Sequence, residues 1–200
     1  MSDRQDIFEQ ETYLSLEEGY PERPVSWFKT AMLPRVQSLL AGKKLLLDVG
    51  CASGYYTKEF APFVERVVGV DYAHNRIKYA KEHFESNILK FVHSRVDQLK
   101  VDKQFDAMFT SMVFQHMPLD IKIQSFENLV TLASDDCLFL MYDFNSNQED
   151  IGNGWVEPVS PQWLTKHIKG WQVKACEPFC NEYQTPNSMI WEYQLVKLSK

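Results

Sequence analysis

Short apolar runs alternate with helix-length segments through the middle of the chain. The apolar runs are nearly continuous, which is typical of buried strands, and they lie near residues 44–49, 66–70, 88–93, 105–110 and 137–142. The segments between them repeat apolar residues every three or four positions and predict helices near residues 25–41, 54–62, 74–85 and 119–133. This alternation predicts a parallel sheet with helices on both faces.

The pattern changes after Asp143. Residues 144–160 are polar, and they are followed by a helix near 161–168 and by two alternating runs near 171–179 and 189–198. No helical pattern separates those two runs, so they predict an antiparallel pair at the edge of the sheet. The expected fold class is therefore α/β, with a seven-stranded sheet that is mostly parallel and has an antiparallel C-terminal edge strand.

A turn of small residues follows the first strand. The strand leads into Asp48, and the turn behind it runs to Gly54 and contains Gly50 and Ala52. Asp71 ends the second strand. Glycine permits a sharp turn and a close approach of a ligand to the backbone. A small-residue turn at the end of one strand, with an acid at the end of the next, is how α/β sheets bind nucleosides.

The spacing of Asp48 and this turn resembles the first motif of class I S-adenosylmethionine-dependent methyltransferases, D/E-x-G-x-G-x-G, with Ala52 in the middle position. A dinucleotide fingerprint would need glycine at positions 52 and 55, and this chain has Tyr55 at the second of them. An acid beside the turn also suits a sulfonium amino acid better than a pyrophosphate. The resemblance covers residues 42–143 and implies a Rossmann-like doubly wound sheet, S-adenosyl-L-methionine as cofactor and S-adenosyl-L-homocysteine as product.

The resemblance also implies which residues bind the cofactor. Asp71 matches the family's acid that accepts both ribose hydroxyls, and Tyr72 follows it on the adenine side. Arg95 stands where the family commonly has a carboxylate for the adenine amine, so Asp97 or the backbone of Val96 is expected to replace it. The expected cofactor-binding residues are Asp48, Gly50, Cys51, Ala52, Gly54, Asp71, Tyr72, Val96, Asp97, Thr110 and Ser111.

Two residues behind strands are the candidates for catalysis. His116 follows the fourth strand and Asp143 follows the fifth, and ligands of open α/β sheets lie outside the carboxyl ends of the strands. Methyl transfer requires alignment of the acceptor with the methyl carbon, and a general base assists hydroxyl acceptors. Structural roles stay open: Asp71 can cap the helix at 74–85, and His116 can begin the helix before Pro118.

The methyl acceptor is expected at the same edge of the sheet. Tyr20 and Trp27 precede the first strand, and Trp155 is the large aromatic residue of the polar segment 144–160. Together with His116 they form the expected substrate-binding set. The alternative is that the segment is a solvated loop and that Trp27 packs against the sheet.

Composition narrows the range of partners. The chain has 200 residues and a net charge of −6 without a basic stripe, which disfavours a long nucleic acid. Its four cysteines and five histidines show no metal-ligand spacing, so no metal is expected. No apolar run approaches the ~20 residues of a membrane helix, and residues 1–11 show no signal-peptide pattern. A cytoplasmic location without membrane association is therefore expected.

These observations lead to one expected activity and its alternatives. The expected protein is a methyltransferase that transfers the methyl group of S-adenosylmethionine in line to an oxygen or nitrogen nucleophile of a small molecule. The expected division is an N-terminal helical or lid segment at residues 1–41 and a methyltransferase domain at residues 42–200. The alternatives are an RNA or protein methyltransferase, or a non-catalytic S-adenosylmethionine-binding partner subunit. The oligomeric state is open.

Overall fold

A computed structural model describes residues 28–144, 159–181 and 189–198 of the chain. Seven strands in this part of the chain form one sheet. They are β1 (Leu45–Val49), β2 (Arg66–Asp71), β3 (Leu89–His93), β4 (Phe105–Ser111), β5 (Ala133–Phe144), β6 (Trp171–Asn181) and β7 (Met189–Lys197). Their spatial order is β3-β2-β1-β4-β5-β7-β6.

Helices connect the parallel strands, and further helical segments precede β1 and β6. A π-helical turn at Phe28–Met32 leads into the first α-helix, and 3₁₀ turns lie at Val96–Gln98 and Phe114–His116. The α-helices are α1 (Leu33–Leu39), α2 (Thr57–Phe60), α3 (His74–Phe84), α4 (Leu119–Leu132) and α5 (Pro161–His167). Strand and helix positions agree with the pattern of the sequence, and the predicted α/β class is confirmed.

Two predicted helices are shorter than expected. The helix expected over 25–41 is α-helical only from Leu33, because Pro34 has no N–H for a helical hydrogen bond and favours the first turn of a new helix. The helix expected over 54–62 shrinks to the four residues of α2. Gly54 has a φ of +81°, which helical backbone does not adopt, and Pro62 follows the last turn.

Parallel pairing places β1 at the centre of the five parallel strands. Val49, its last residue, lies opposite Val70 of β2 and Thr110 of β4. At the other side β5 and β7 pair antiparallel, and β7 pairs antiparallel with β6, so the predicted antiparallel pair at the sheet edge is confirmed. The outermost strand is β6 rather than the C-terminal strand. β7 lies between β5 and β6 and buries Ile190, Tyr193 and Leu195.

Apolar side chains pack against both faces of the sheet. One face carries Met32 and Val36 of the N-terminal helical segments together with Ile77 of α3, and the other carries Phe126 of α4 and Leu164 of α5. Full burial of each large side chain contributes roughly 1.5–3 kcal/mol. The structure thus has helices on both faces, as predicted. No helix in the described ranges combines the length and apolar character that crossing a membrane requires.

Candidate active site

The candidate site lies at the carboxyl ends of β1 and β4. These strands are neighbours, but the chain leaves β1 towards β2 on one side and leaves β4 towards β5 on the other. The connections therefore diverge and open a crevice between the two strand ends. Open α/β sheets bind their ligands at this reversal of strand order.

The turn behind β1 has an unusual backbone conformation. Gly50, Ala52 and Gly54 have φ values of +73°, +48° and +81°. The left-handed region suits glycine, but Ala52 carries a Cβ there, and so does Met112 with φ +60° directly behind β4. These are the two non-glycine residues with positive φ in the described part of the chain. Such strained residues cost of order 1–3 kcal/mol and cluster at functional sites.

The glycines of the turn are required by close packing. A Cβ on Gly50 would lie 2.4 Å from a methyl group of Val113, and a Cβ on Gly54 would lie 2.8 Å from the ring of Phe91. Gly54 thus permits the turn to pack on β3 and on Ala80 of α3. The sequence predicts that the glycines of this turn let a ligand approach the backbone. At Gly54, however, the place of the missing Cβ faces the protein core.

Asp71 ties the end of β2 to this turn. Its Oδ2 accepts a hydrogen bond from the backbone N–H of Ala52 at 2.9 Å, and its Oδ1 accepts one from the N–H of Ala73 at 2.9 Å. The side chain is 7% exposed, and burial raises its pKa although the N–H donors and Arg76 oppose the shift. The bond to Ala73 is a local contact to the N-cap residue of α3, so Asp71 is not itself the N-cap that the sequence left open. The bond to Ala52 brings the two strand ends together.

Asp48 lies beneath the turn as a second buried acid. Its Oδ2 accepts a hydrogen bond from the hydroxyl of Thr57 at 2.7 Å, and only 3% of the residue is exposed. Burial raises its pKa to about 7, and repulsion from Asp71 adds to the shift, whereas the Thr57 bond opposes it. A cation that binds nearby would favour the ionised form, which fits the expected ammonium-bearing ligand.

Other expected cofactor residues at these strand ends are buried or anchored. Cys51 is 6% exposed and lies against Gly69, where a Cβ would be 2.9 Å from its Sγ. Thr110 is fully buried and donates its hydroxyl to the carbonyl of Val49 at 3.0 Å. Ser111 is the last residue of β4 and is half-buried. Cys51 and Thr110 therefore support the shape of the turn from within.

The expected adenine side is fixed by an ion pair. Nε and Nη2 of Arg95 donate hydrogen bonds to the carboxylate of Asp97 at 3.0 and 2.8 Å. The Asp97 side chain is 6% exposed. Asn128 of α4 donates to the carbonyl of Val96 at 2.8 Å and so holds this 3₁₀ turn against the domain. The carbonyl of Tyr72 lies 2.9 Å from a ring nitrogen of His93. Arg95 therefore does not leave this turn without a carboxylate, because it pairs with that of Asp97.

The two candidate catalytic residues meet through Gln115. The backbone N–H of Gln115 donates to Oδ2 of Asp143 at 3.2 Å, and its side-chain nitrogen lies 3.1 Å from Nε2 of His116. Asp143 is fully buried and Gln115 is 1% exposed. The structure therefore brings His116 and the end of β5 to one place beyond β4.

Three expected substrate-binding residues, Tyr20, Trp27 and Trp155, lie outside the described residues. Two further residues of the site, Thr57 and Gln115, were not assigned a role from the sequence. A short polar residue nine positions behind Asp48 is the one signal that would have indicated Thr57. In the described ranges, no three His, Cys, Asp or Glu residues are placed to hold a metal ion together.

Comparison with known proteins supports the class of the fold. Residues 47–131 match a family model described as a methyltransferase domain. A ubiquinone biosynthesis O-methyltransferase of Glaesserella parasuis serovar 5 (strain SH0165) is 34% identical over 110 residues, which are 50% of this chain and 45% of that protein. Over residues 47–131 this chain is similar to methyltransferase domains. It matches less than half the length of that curated relative.

Solved structures show the same architecture at low sequence identity. The N-methyltransferase NodS from Bradyrhizobium japonicum WM9, in complex with S-adenosyl-L-homocysteine, superposes with a TM-score of 0.74 at 14% identity over 94% of this chain and 99% of that one. The 1,6-didemethyltoxoflavin-N1-methyltransferase of Burkholderia thailandensis has a TM-score of 0.70 at 14% identity, over 97% and 88%. Both likenesses establish the fold, and it is the predicted one.

Proposed function

We propose that this protein transfers the methyl group of S-adenosylmethionine to an oxygen or nitrogen nucleophile of a small molecule. The observation that carries the proposal is the joining of Asp71 to the turn at Ala52, with Asp48 beneath them, at the point where the strand order reverses. Carboxylates there suit a ligand with ribose hydroxyls and positive charge. The methyltransferase domain at residues 47–131 contains all three residues.

The cofactor would be S-adenosyl-L-methionine, with S-adenosyl-L-homocysteine as the product. The residues present fit it: Asp71 would hold the ribose, the turn from Gly50 to Gly54 would hold the amino-acid part, and the turn with Asp97 would hold the adenine. Met112, with its strained backbone, and the half-buried Ser111 lie at the end of β4 and would contact the methionine part. The cofactor supplies an activated methyl group when bound.

The chain's own contribution is to align the acceptor and to receive its proton. The bound cofactor would supply the methyl group, and the residues of this chain would hold the acceptor so that its oxygen or nitrogen meets that group in line. The acceptor's proton then passes to a base, for which His116 is the candidate. Asp143 is fully buried and accepts the N–H of Gln115, so we assign it to supporting the site rather than to proton transfer.

Oxygen acceptors are the first class to test, because the similar curated proteins carry the name O-methyltransferase. We propose that residues 1–41 form one wall of the acceptor site. Tyr20 and Trp27 of this segment, together with Trp155, would contact the acceptor. Phe28 supports this placement, since its ring stacks at 3.7 Å on Tyr56 beside the cofactor turn. A cytoplasmic location and the lack of a long nucleic-acid partner stay predictions.

The experiment measures S-adenosylhomocysteine release with a panel of phenols and catechols, each matched by the corresponding amine. The proposal expects release that depends on the acceptor and that falls at least tenfold in His116→Ala for phenols. Acceptor-independent release, or release that requires added RNA or protein, would contradict the proposed substrate class. Near-full kcat in His116→Ala would remove its role as base.

A further inference from the structure

A buried carboxylate joins the N-terminal helical segment to the antiparallel side of the sheet. Glu192 of β7 is 1% exposed, and its Oε1 accepts hydrogen bonds from Nη2 of Arg35 at 2.9 Å and from the amide of Gln194 at 2.8 Å. Its Oε2 accepts from Nε of Arg35 at 3.0 Å and from the hydroxyl of Tyr142 at 2.8 Å. These bonds occupy the roughly four lone-pair sites of a carboxylate. The four residues form the Glu192 cluster.

The Glu192 cluster contributes geometry more than stability. Its surroundings are apolar, because Ile190 is fully buried on the same face and the ring of Phe179 packs edge-on against Tyr142 with centroids 4.9 Å apart. A buried ion pair is often no more stable than apolar residues of the same volume. Arginine and a carboxylate, however, form two parallel hydrogen bonds in one relative orientation. Burial favours a higher pKa for Glu192, but the hydrogen bonds of its three partners lower that pKa, which keeps the ion pair charged.

The N-terminal segment otherwise packs through apolar side chains. Met32 and Val36 are fully buried in the same apolar cluster as Phe109 and Tyr142. Apolar burial is non-directional, so it holds α1 on the sheet without setting how far the helix slides or turns. Arg35 lies between these two residues and supplies the directional contact. Its Nη2 also donates to Glu177 of β6 at 3.0 Å, so the guanidinium spans β6 and β7.

Tyr142 connects the Glu192 cluster to the crevice. Its hydroxyl bonds Glu192, and its backbone carbonyl accepts the N–H of Met112 at 2.8 Å. Met112 has a φ of +60° and lies directly behind β4. The next residue of β5, Asp143, accepts the backbone N–H of Gln115 at 3.2 Å. The end of β5 therefore holds the loop behind β4 and, through Glu192, the N-terminal segment.

We propose that Arg35, Tyr142 and Glu192 are positioning residues that fix the N-terminal segment relative to the loop behind β4. This inference rests on the proposed function, in which residues 1–41 form one wall of the acceptor site and Met112 contacts the methionine part. In-line transfer needs a fixed spacing between the two, since a misplacement of about 1 Å can cost about a hundredfold in rate. Tyr142 and Glu192 are buried, so they act on the acceptor only through the elements that they join.

The experiment compares the wild type with an apolar variant of the full chain that carries Arg35→Met, Tyr142→Phe, Glu192→Leu and Gln194→Met. Removal of all partners together leaves no buried charge, so we expect a melting temperature within about 5 °C of the wild type. Amide hydrogen exchange in α1 should nevertheless be at least about tenfold faster, with exchange in α3 within about threefold. Arg35→Lys keeps the charge but not the two parallel bonds, and it should show the same local change.

Lys197→Met is the matched control. Lys197 lies at the other end of β7, where its Nζ donates to the carbonyl of Ala133 at 2.6 Å and its side chain is 13% exposed. The substitution also removes a largely buried cation that joins β7 to β5, but at the end of the sheet away from the crevice. Exchange in α1 should therefore stay within about threefold of the wild type.

Turnover separates positioning from stability. With the panel compound that the wild type methylates fastest, kcat of the apolar variant should fall at least about tenfold. Its Kd for S-adenosylhomocysteine should stay within twofold. Full kcat in a variant whose α1 exchanges faster would overturn the inference.

An apolar variant with wild-type exchange in α1 would also overturn it. If that variant does not fold, Arg35→Lys decides by the same comparison. The exchange measurement needs no acceptor, so it keeps this inference separate from the proposed function. A wild type that methylates no compound of the panel refutes the proposed function, whereas unchanged exchange in the variants refutes only the role of the Glu192 cluster.

Discussion

The backbone N–H of Ala52 donates a 2.9 Å hydrogen bond to Oδ2 of Asp71. This bond joins two loops that are 19 residues apart in sequence and that end neighbouring strands. Ala52 has a φ of +48°, a conformation that costs free energy for any residue with a Cβ. The bond helps to hold that conformation, and it fixes the carboxylate that we expect to face the ribose.

Asp71→Asn should weaken cofactor binding strongly. The amide replaces one acceptor oxygen with a donor, which then opposes the N–H of either Ala52 or Ala73. We expect the Kd for S-adenosylhomocysteine to rise at least tenfold and the free energy of unfolding to fall by about 1–3 kcal/mol. Isothermal titration calorimetry and urea denaturation measure the two effects.

Asp106→Asn is the matched control for that substitution. Asp106 also accepts backbone N–H groups, from Lys44 at 2.9 Å and Leu45 at 2.8 Å, but at the opposite end of β1. Its loss should reduce stability by a similar amount and leave the Kd within twofold. An equal loss of binding in both variants would mean that Asp71 acts through general stability and not at the ligand.

Asp48→Asn should stabilise the protein in a pH-dependent way. The folded protein holds the proton of Asp48 up to about pH 7, whereas the unfolded chain releases it near pH 4. The native state thus binds more protons in between, and the free energy of unfolding of the wild type falls as pH rises from about 4 to about 7. Asparagine keeps an acceptor for Thr57 and removes the ionisation.

The gain from Asp48→Asn should be roughly 1–3 kcal/mol at pH 8 and should vanish near pH 4. Urea denaturation at both pH values gives the difference directly. A variant that is less stable than the wild type at pH 8 would show that Asp48 is ionised at little cost in the folded protein. Binding of S-adenosylhomocysteine should weaken in the same variant, because the amide cannot pair with its ammonium group.

Gly54→Ala should destabilise the fold far more than Gly42→Ala. Both glycines have a φ near +80°, at +81° and +83°, so both substitutions carry the same backbone cost of about 1–2 kcal/mol. A Cβ on Gly54 would also lie 2.8 Å from the ring of Phe91, whereas one on Gly42 meets nothing within 4 Å. We expect roughly 2–3 kcal/mol more destabilisation for Gly54→Ala. Equal melting temperatures for the two variants would contradict the packing of the turn against β3.

Arg35→Ala should destabilise the attachment of α1 to the sheet. Arg35 bonds both oxygens of Glu192, at 3.0 and 2.9 Å, and Glu192 is 1% exposed and also accepts from Tyr142 and Gln194. Removal of one partner of a buried pair leaves the other charge buried and costs about 3–5 kcal/mol. We expect a smaller loss of stability for Arg35→Ala, because Arg35 is partly exposed.

A surface pair provides the control for Arg35→Ala. Lys44 and Glu65 lie 3.8 Å apart, and both side chains are about 70% exposed. Lys44→Ala should change the free energy of unfolding by less than about 0.5 kcal/mol. Chemical denaturation of both variants and of Arg35→Met, which keeps part of the apolar stem, separates the lost charge from the lost packing. A cost below 1 kcal/mol for Arg35→Ala would mean that Glu192 is satisfied without it.

The sequence predicts the sheet well because its signals are local. Apolar runs and their alternation depend on neighbours in the chain, so strands such as β1 and β2 are found within one residue of their predicted bounds. The helix after the turn was predicted too long, since the left-handed conformation of Gly54 is imposed by contact with β3 and not by its neighbours. The inner position of β7 likewise depends on tertiary packing.

The residues of the candidate site also fall into those that the sequence predicts and those that depend on tertiary contacts. Asp48 and Asp71 are visible in the sequence because each lies within the last two residues of a strand. The pairing of Arg95 with Asp97 was invisible, because it depends on side-chain geometry. The bridge formed by Gln115 needs β4 and β5 side by side, which no single segment of the sequence encodes.

The most direct test of the central claim is calorimetric titration of the wild-type chain with S-adenosylhomocysteine and, separately, with NADH. A site in which Asp71 and the turn at Ala52 bind a sulfonium nucleoside predicts one-to-one binding of S-adenosylhomocysteine and no binding of NADH. That affinity should fall at least tenfold in Asp71→Asn. Binding of NADH without binding of S-adenosylhomocysteine would contradict the account.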